Sequence, residues 1–291
     1  MIQIKNDALT VSIAELGAEL QSVRGADGTE YLWQGNPAFW SGRAPVLFPI
    51  VGKLRNEKAF INGKEYIIPR HGIVRRRVFA AERKSDTSVC FLTASDENTK
   101  CSYPFDFELR VSYTLDGPAI IQRFAITNKG DRDMPFVIGG HPAFNCPLLP
   151  GERFEDYDIM FERPETLSCP TVDISNGLID MGTASRALRQ EQSIPLSHSL
   201  FDSDALIFEN TKSKTVSLLN RNTGRGVSLT YEGFRFLAVW SAVGNSPFVA
   251  LEPWTGCATC NDESDLLEQK RGMYLLPPNQ THTVELRILV F

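Results

Sequence analysis

Short segments of alternating apolar and polar residues, separated by turns, constrain the fold of this chain more than any other feature. In residues 107–115, FELRVSYTL, every second side chain is apolar and the intervening ones are charged or polar. This period of two is typical of an antiparallel strand with one buried face. Turn sequences such as LDGPA, TNKGD and INGKEY separate comparable segments at intervals of roughly 8 to 12 residues. The pattern predicts many short strands joined by tight turns.

Helical patterns are weak in this sequence. Residues 185–193 (SRALRQEQS) and 263–273 (ESDLLEQKRGM) each predict at most a short helix. Residues 148–200 contain few alternating stretches, so we expect long loops there. No Gly- or Ser-rich linker and no internal repeat divides the chain. We therefore predict one all-β domain over residues 1–291, a large antiparallel β-sandwich.

Charge and composition restrict the class of partner. The 30 Lys and Arg residues and 35 Asp and Glu residues give a net charge of -5. This balance argues against nucleic acid or an anionic membrane, because both bind basic surfaces. No window approaches the ~20 apolar residues of a membrane-spanning helix, and MIQIKNDALTVSI at the N-terminus lacks a signal-peptide pattern. We expect a cytoplasmic monomer or homodimer that acts on a small molecule.

Two of the six cysteines, Cys257 and Cys260, form a C-x-x-C sequence. Such a pair suggests either a zinc site or a redox site. A structural zinc ion needs about four ligands, and the sequence contains no second close Cys or His pair. We therefore interpret both residues as ordinary thiols and predict no metal.

Three polar residues stand in unusual sequence settings. His141 lies in VIGGHPAFNCP, between two glycines and a proline that restrict the backbone, and His71 lies in PRHGIVR beside a glycine. Glu252 follows the apolar run FVAL and precedes Pro and Trp. Burying a carboxylate without a role costs a few kcal/mol, and burial raises its pKa toward the range useful for proton transfer. The alternative interpretation, structural histidines and a solvated glutamate, stays open from the residues alone.

With these motifs in place, the sequence resembles the galactose mutarotase-like superfamily, specifically the aldose 1-epimerase family and its LacX-like branch. The resemblance runs over nearly the whole chain and follows one order of motifs: AELGAELQSV, YLWQGNPAFWSGRAPVLFPIVGKL, FINGKEYIIPRHGIVR, HPAFNCPL, SLFDSDALIFEN, FLAVWS and FVALEPWTGCA. It implies a β-sandwich of the galactose mutarotase-like type, the supersandwich. It also implies an isomerase of carbohydrate metabolism that works without a cofactor.

The resemblance implies roles for the same three residues. His141 would act as general acid on the ring oxygen of a sugar, and Glu252 would act as general base on its anomeric hydroxyl. His71 would support the ring oxygen. One positioned acid and one positioned base are sufficient to open and reclose a cyclic sugar.

Further residues enter as sugar contacts through the resemblance. Asp204 would hold sugar hydroxyls, with Asp202 as a close competitor. Arg75 and Arg43 lie near positions that approach the phosphate in the hexose-6-phosphate branch. The remaining contacts would be a wall, a supporting amide and an apolar platform: Phe144, Asn145 and Trp254. We expect the other tryptophans to lie in the core or at the rim: Trp33, Trp40 and Trp240.

These residues leave several functions open. The favoured one is an aldose 1-epimerase, or mutarotase, that interconverts the α and β anomers of a hexose. A hexose-6-phosphate mutarotase is the alternative suggested by four basic residues: Arg43, Lys53, Arg55 and Arg75. A carbohydrate-binding or sensing protein without turnover is a third possibility, because a fold does not determine function. A glycosidase is disfavoured because it needs two carboxylates, and the sequence places only Glu252 well.

Overall fold

The strands form where the alternating segments lie. A computed structural model describes residues 1–291, apart from the side chain of Arg83. The strands are β1 (Ile2–Lys5), β2 (Leu9–Ile13), β3 (Leu20–Gly25), β4 (Val46–Leu47), β5 (Lys58–Ile61), β6 (Lys64–Ile67), β7 (Ala80–Arg83), β8 (Ser88–Ala94), β9 (Phe107–Asp116), β10 (Ala119–Asn128), β11 (Met134–Phe136), β12 (Gly139–Gly140), β13 (Ala143–Asn145), β14 (Tyr157–Glu165), β15 (Ser168–Asp173), β16 (Leu178–Ala187), β17 (Glu191–Pro195), β18 (Leu206–Glu209), β19 (Thr215–Asn220), β20 (Gly226–Thr230), β21 (Phe236–Trp240), β22 (Phe248–Trp254), β23 (Tyr274–Leu276) and β24 (Thr281–Val290).

Helical structure is confined to single turns. The segments are α1 (Glu97–Lys100) and the 3-10 turns Arg55–Glu57, Val74–Arg76, Phe154–Asp156, His198–Phe201 and Leu267–Gln269. None of these segments has the length and apolar character needed to cross a membrane.

The larger of the two main sheets has nine strands in the order β17-β14-β19-β20-β24-β10-β9-β8-β7. Its central strand is β24, and next to it lies the β9–β10 hairpin, in which Asp116 lies opposite Ala119. The alternating side chains of β9 that the sequence predicts to be apolar and inward-facing are all buried: Phe107, Leu109, Val111, Tyr113 and Leu115. The prediction of antiparallel strands with one buried face is therefore confirmed.

The second main sheet follows the order β18-β21-β22-β12-β4, and β13 also pairs with β22. Strand β22 is buried along its whole length. Most buried apolar residues of the two main sheets belong to one core cluster, as in a sandwich, and a smaller cluster includes Ala143, Phe248 and Ala250. The sheets approach closely at Gly140, where an added Cβ would lie 3.1 Å from Leu286 Cδ2. The predicted all-β sandwich is confirmed, and β22 occupies its interior.

The prediction of long loops over residues 148–200 is wrong. This segment contains β14 and β17 of the nine-stranded sheet, as well as the hairpin formed by β15 and β16. The helix predicted over residues 185–193 is absent, because the end of β16 and the start of β17 occupy that stretch. Most of β16 is exposed or half-buried, so its sequence carries no period-two signal. Residues 263–273 contain only the 3-10 turn Leu267–Gln269.

Candidate active site

The register of three strands brings His141 and Glu252 together. Strand β12 pairs with β22 at Gly139, and β13 pairs with β22 at Ala143. The partners of these two residues lie two positions after and two positions before Glu252. His141 is midway between Gly139 and Ala143, so it faces Glu252 across the strands, and such partners project from the same face. His141 Nε2 lies 3.2 Å from Glu252 Oε2.

The bend that carries His141 depends on its glycine and proline neighbours. Gly139 has no room for a side chain, because an added Cβ would lie 2.6 Å from Trp254 Cδ1. Pro142 offers no N–H to the sheet, but its carbonyl accepts the N–H of Leu251 at 3.0 Å. This bond keeps the bend attached to β22. His141 is held there with 7% of its surface exposed.

The surroundings of His141 and Glu252 shift the pKa of each group toward its neutral form. Burial, together with the positive charges of Arg70 and Arg75, lowers the pKa of His141 to about 3. Burial and the Asp204 carboxylate raise the pKa of Glu252 well above its usual range, against the opposing effect of Arg70. The imidazole thus resists gaining a proton and the carboxyl resists losing one. A proton held by the pair therefore favours Glu252 over His141.

His71 is positioned by a strained turn after β6. Its φ is 64° and that of Gly72 is 78°, both in the left-handed region. Gly72 has no room for a side chain, because an added Cβ would lie 2.0 Å from Phe48 O. The N–H of His71 donates to Gly52 O at 2.8 Å, which anchors the turn. Strain of this kind at a residue other than glycine is common at functional sites.

Both ring nitrogens of His71 face N–H donors. Gly52 N–H lies 3.2 Å from Nδ1, and Arg70 Nε lies 3.2 Å from Nε2. Burial and the charges of His141, Arg70 and Arg75 lower the pKa of His71 well below its usual value, which keeps the ring neutral. A neutral imidazole accepts at only one nitrogen. Arg70 is exposed, so its side chain is the donor that can leave His71 and bind another acceptor.

His141 and Glu252 line a cavity of about 260 Å³. Sites for drug-sized ligands are larger, with volumes of about 300–1,000 Å³. The six-stranded sheet supplies one wall: Ile207, Trp240, Glu252, Trp254 and His141. The β15–β16 hairpin supplies Val172, Gly177 and Ile179. Ile179 donates to Thr259 O at 3.0 Å and accepts from Asn261 N–H at 2.8 Å, so the hairpin is fixed to the segment after β22. A monosaccharide suits a space of this size.

Three basic side chains border the cavity: Lys53, Arg70 and Arg75. Arg75 lies in the turn Val74–Arg76, and burial, with the charges of Arg76 and Arg70, lowers its pKa. Among the side chains that the structure describes, none forms a salt bridge with any of the three lining residues. Sequence reasoning named Arg75 and Lys53 but missed Arg70, whose only signal is its position directly before His71.

Two other arginines that the sequence suggested for an anionic pocket lie elsewhere. The Arg43 guanidinium donates to Gln21 Oε1 and to Gln34 O, the latter at 2.9 Å. It is outside the cavity lining, which corrects the expectation that it contacts the sugar. Arg55 pairs with Asp265 at 2.8 Å. Both arginines are therefore engaged in structural contacts within the protein.

Phe144 and Asn145 are also outside the cavity lining, contrary to expectation. Phe144 is completely buried in the core, because neighbouring residues of a strand project from opposite faces and its strand carries Ala143 toward the side of His141. The amide of Asn145 donates to Glu30 O at 2.8 Å. These residues support the strand and do not border the site.

Of the two candidate aspartates, Asp204 borders the cavity and Asp202 does not. Asp204 has a φ of 75°, another strained position at this site. Its Oδ1 accepts the N–H of Ala205 at 2.8 Å, which orients the carboxylate. Asp202 is exposed to solvent.

Three of the four tryptophans line the cavity: Trp40, Trp240 and Trp254. Trp254 stands where an apolar platform was predicted. Trp40 and Trp240 contact the ring of His141, a role that sequence reasoning missed when it assigned them to the core or rim. Trp33 is buried in a small apolar cluster, and its indole N–H donates to Trp40 O at 2.9 Å.

Cys257 and Cys260 are free and buried beside the cavity. Ala258, between them, borders the cavity and packs on Gly52, where an added Cβ would lie 2.5 Å from the Ala258 Cβ. Thr259 N–H donates to Lys53 O at 3.1 Å. The segment therefore forms part of the wall around the site.

Comparison with known proteins finds relatives that match almost the whole chain. A sequence model of the aldose 1-epimerase family matches residues 1–288. Protein LacX (plasmid) from Lactococcus lactis subsp. lactis is 42% identical over 286 residues, which cover 96% of each chain.

Two solved structures share the fold over nearly their whole length. A galactose mutarotase related enzyme from Lactobacillus acidophilus superposes with a TM-score of 0.94 at 34% identity, over 100% of this chain and 97% of that one. A galactose mutarotase-like protein from Lactobacillus casei superposes with a TM-score of 0.91 at 29% identity, over 100% of both chains.

Proposed function

The chain belongs to the aldose 1-epimerase family, and from this premise we propose that it interconverts the α and β anomers of a hexose by acid–base ring opening. One observation carries the proposal. His141 Nε2 and Glu252 Oε2 lie 3.2 Å apart on the wall of a sugar-sized cavity. The whole chain, residues 1–291, would act as one catalytic domain.

The proposed reaction requires the proton of the pair to lie on His141, with Glu252 as a carboxylate, when the sugar is bound. The Glu252 carboxylate removes the proton from the anomeric hydroxyl while the His141 imidazolium protonates the ring oxygen. The bond between the anomeric carbon and the ring oxygen breaks, leaving an open aldehyde. Rotation about the adjacent carbon–carbon bond presents the other face of the aldehyde, and the two proton transfers then run in reverse. Both groups end as they began, so the reaction requires no cofactor.

Three further residues would bind the sugar around this pair. Neutral His71 would contact the ring oxygen, and the oriented Asp204 carboxylate would accept hydrogen bonds from hydroxyl groups. The indole of Trp254 would pack on an apolar face of the sugar ring. A tryptophan offers both a flat apolar surface and an N–H donor.

A relaxation assay tests the activity. Freshly dissolved α-D-glucose or α-D-galactose should approach its equilibrium optical rotation faster with the purified protein than in buffer alone. The rate increment should be proportional to protein concentration. If no aldose or aldose phosphate in a broad panel relaxes faster than in buffer, the protein is not a mutarotase. Sugar binding without relaxation would instead support a carbohydrate-binding or sensing role.

A sugar phosphate is a second candidate substrate, favoured by the three basic side chains at the cavity. Lys53, Arg70 and Arg75 together would offer charge-assisted hydrogen bonds to a phosphate. The same chemistry at the anomeric carbon would then act on a hexose 6-phosphate. Cytoplasmic location, which we also propose, would give access to such a substrate.

We expect Arg75→Ala to separate the two substrates. One hydrogen bond to a charged group contributes about 1.5–3 kcal/mol, so kcat/KM for glucose 6-phosphate should fall by about 10- to 100-fold. The value for glucose should change little. Relaxation rates of both sugars, measured for both proteins, provide the comparison.

Arg76→Ala is the matched control, because Arg76 is the exposed neighbour and does not border the cavity. It should leave both rates near those of the wild type. Equal losses for the two substrates in Arg75→Ala would show that Arg75 does not recognise phosphate.

A further inference from the structure

We propose that Trp40 is a positioning residue that fixes the ring of His141 for proton transfer, and that Gly42 exists to let the indole lie where it does. This inference rests on the proposed function and concerns the same site. The rings of Trp40 and His141 stack with centroids 4.7 Å apart and an interplanar angle of 22°. Trp240 meets the His141 ring edge-on, at 5.5 Å and 84°.

His141 lacks the usual device for holding a catalytic histidine. Such a ring is normally oriented by a hydrogen bond from its second nitrogen to a carboxylate or carbonyl oxygen. Nδ1 of His141 is buried, and no other residue that the structure describes forms a hydrogen bond with it. With only Nε2 engaged, by Glu252, the ring could rotate about that contact. The two indoles restrict this rotation by packing.

Trp40 is itself held against the backbone on its other side. A Cβ added at Gly42 would lie 2.5 Å from Trp40 Cζ2 and 2.8 Å from Cε2. The φ of Gly42 is not in the left-handed region, so close packing, not backbone conformation, explains this glycine. Trp40 N–H donates to Asn36 O and its carbonyl accepts the indole N–H of Trp33. The indole is thus clamped between Gly42 and His141.

The titratable and charged groups around His141 come from several elements. Glu252 of β22 contacts it, His71 lies with its ring centroid 5.7 Å away, and Arg70 and Arg75 act on it through their charges. None of these groups replaces the missing contact at Nδ1. Ring orientation therefore depends on the tryptophan stack.

Trp40→Leu tests the inference by removing the flat aromatic face while keeping an apolar side chain. A misplacement of about 1 Å can cost about 10²-fold in rate, so kcat should fall by about that factor with little change in KM. Trp40→Phe restores a flat ring and should recover most of the rate. Gly42→Ala, which changes no residue at the cavity, should lower kcat in the same direction. Gly130→Ala, distant and with the added Cβ 3.3 Å from Asn128 Oδ1, is the control.

Proton NMR measures the chemical shifts of the His141 ring protons, which would not change if Trp40 had only a structural role elsewhere in the fold. The chain has four histidines, so their ring resonances can be assigned with single variants. The His141 ring protons should be shifted upfield by the stacked indole in the wild type. They should move toward ordinary positions in Trp40→Leu and Gly42→Ala while the His198 resonances stay in place.

The outcomes separate this inference from the proposed function. Wild-type rates and an unmoved His141 resonance in folded Trp40→Leu would overturn it and leave the mutarotase activity intact. A shifted resonance with no sugar turnover by any protein, wild type included, would remove the proposed activity but keep the orienting role of Trp40. If Trp40→Leu does not fold, Gly42→Ala and Trp40→Phe decide between the same results.

Discussion

Replacing Glu252 with glutamine should lower kcat for anomer interconversion by a factor of about 10² to 10⁴. The amide keeps the shape of the carboxyl but cannot take the proton of the anomeric hydroxyl. Binding contacts stay in place, so KM should change little, which is the pattern of an interaction made in the transition state. Initial relaxation rates by polarimetry, over a range of sugar concentrations, measure both constants.

Asp202→Asn is the matched control, because that carboxylate is exposed and lies outside the cavity. Its rate should equal that of the wild type. A Glu252→Gln protein with nearly full turnover would exclude Glu252 as the general base. His141 and Asp204 would then be the remaining candidates for that role.

The same substitution should change how stability depends on pH. Burial raises the pKa of Glu252 in the folded protein. Stability from this group is therefore fully present below its unfolded pKa of about 4.3 and is lost as pH rises through the raised value. Glutamine does not titrate, so the variant should lose less stability than the wild type as pH rises from about 4.3 to above the raised pKa. Thermal melts over that range record the difference.

Replacing His141 with asparagine should reduce kcat by about 10² or more, because the ring oxygen loses its proton donor. Asparagine retains a polar side chain that does not titrate, and it is too short to place a nitrogen where His141 Nε2 lies. The loss should persist from acidic to alkaline pH, since no other described imidazole contacts Glu252. Polarimetric rates at several pH values test this expectation.

His198→Asn controls for the loss of a histidine in general. His198 stacks on Phe154 with ring centroids 4.0 Å apart and does not border the cavity. A normal rate for this variant and a large loss for His141→Asn would assign the effect to the site. Equal small losses in the two variants would contradict a role for His141 in proton transfer.

The sequence determined the class of fold because strand patterning is local. The alternation in β9 is visible in nine consecutive letters, and the structure buries the same side chains. It failed over residues 148–200, where much of β16 is exposed and carries no alternating signal. Pairing partners distant in the chain, not local pattern, decide the structure there.

The candidate site also has features that the local sequence reveals and features that only the tertiary structure reveals. The unusual settings of His71, His141 and Glu252 are visible in short motifs, since glycine, proline and a buried carboxylate carry local constraints. Only the structure shows that His141 and Glu252 meet. Their contact depends on how β12 and β13 pair with β22, and neither motif reveals that pairing. The structure also shows that three predicted residues lie outside the cavity: Arg43, Phe144 and Asn145. Three residues that were not predicted line it: Arg70, Trp40 and Trp240. Side-chain direction and long-range packing depend on which face each strand turns toward the cavity, and only the folded chain fixes that.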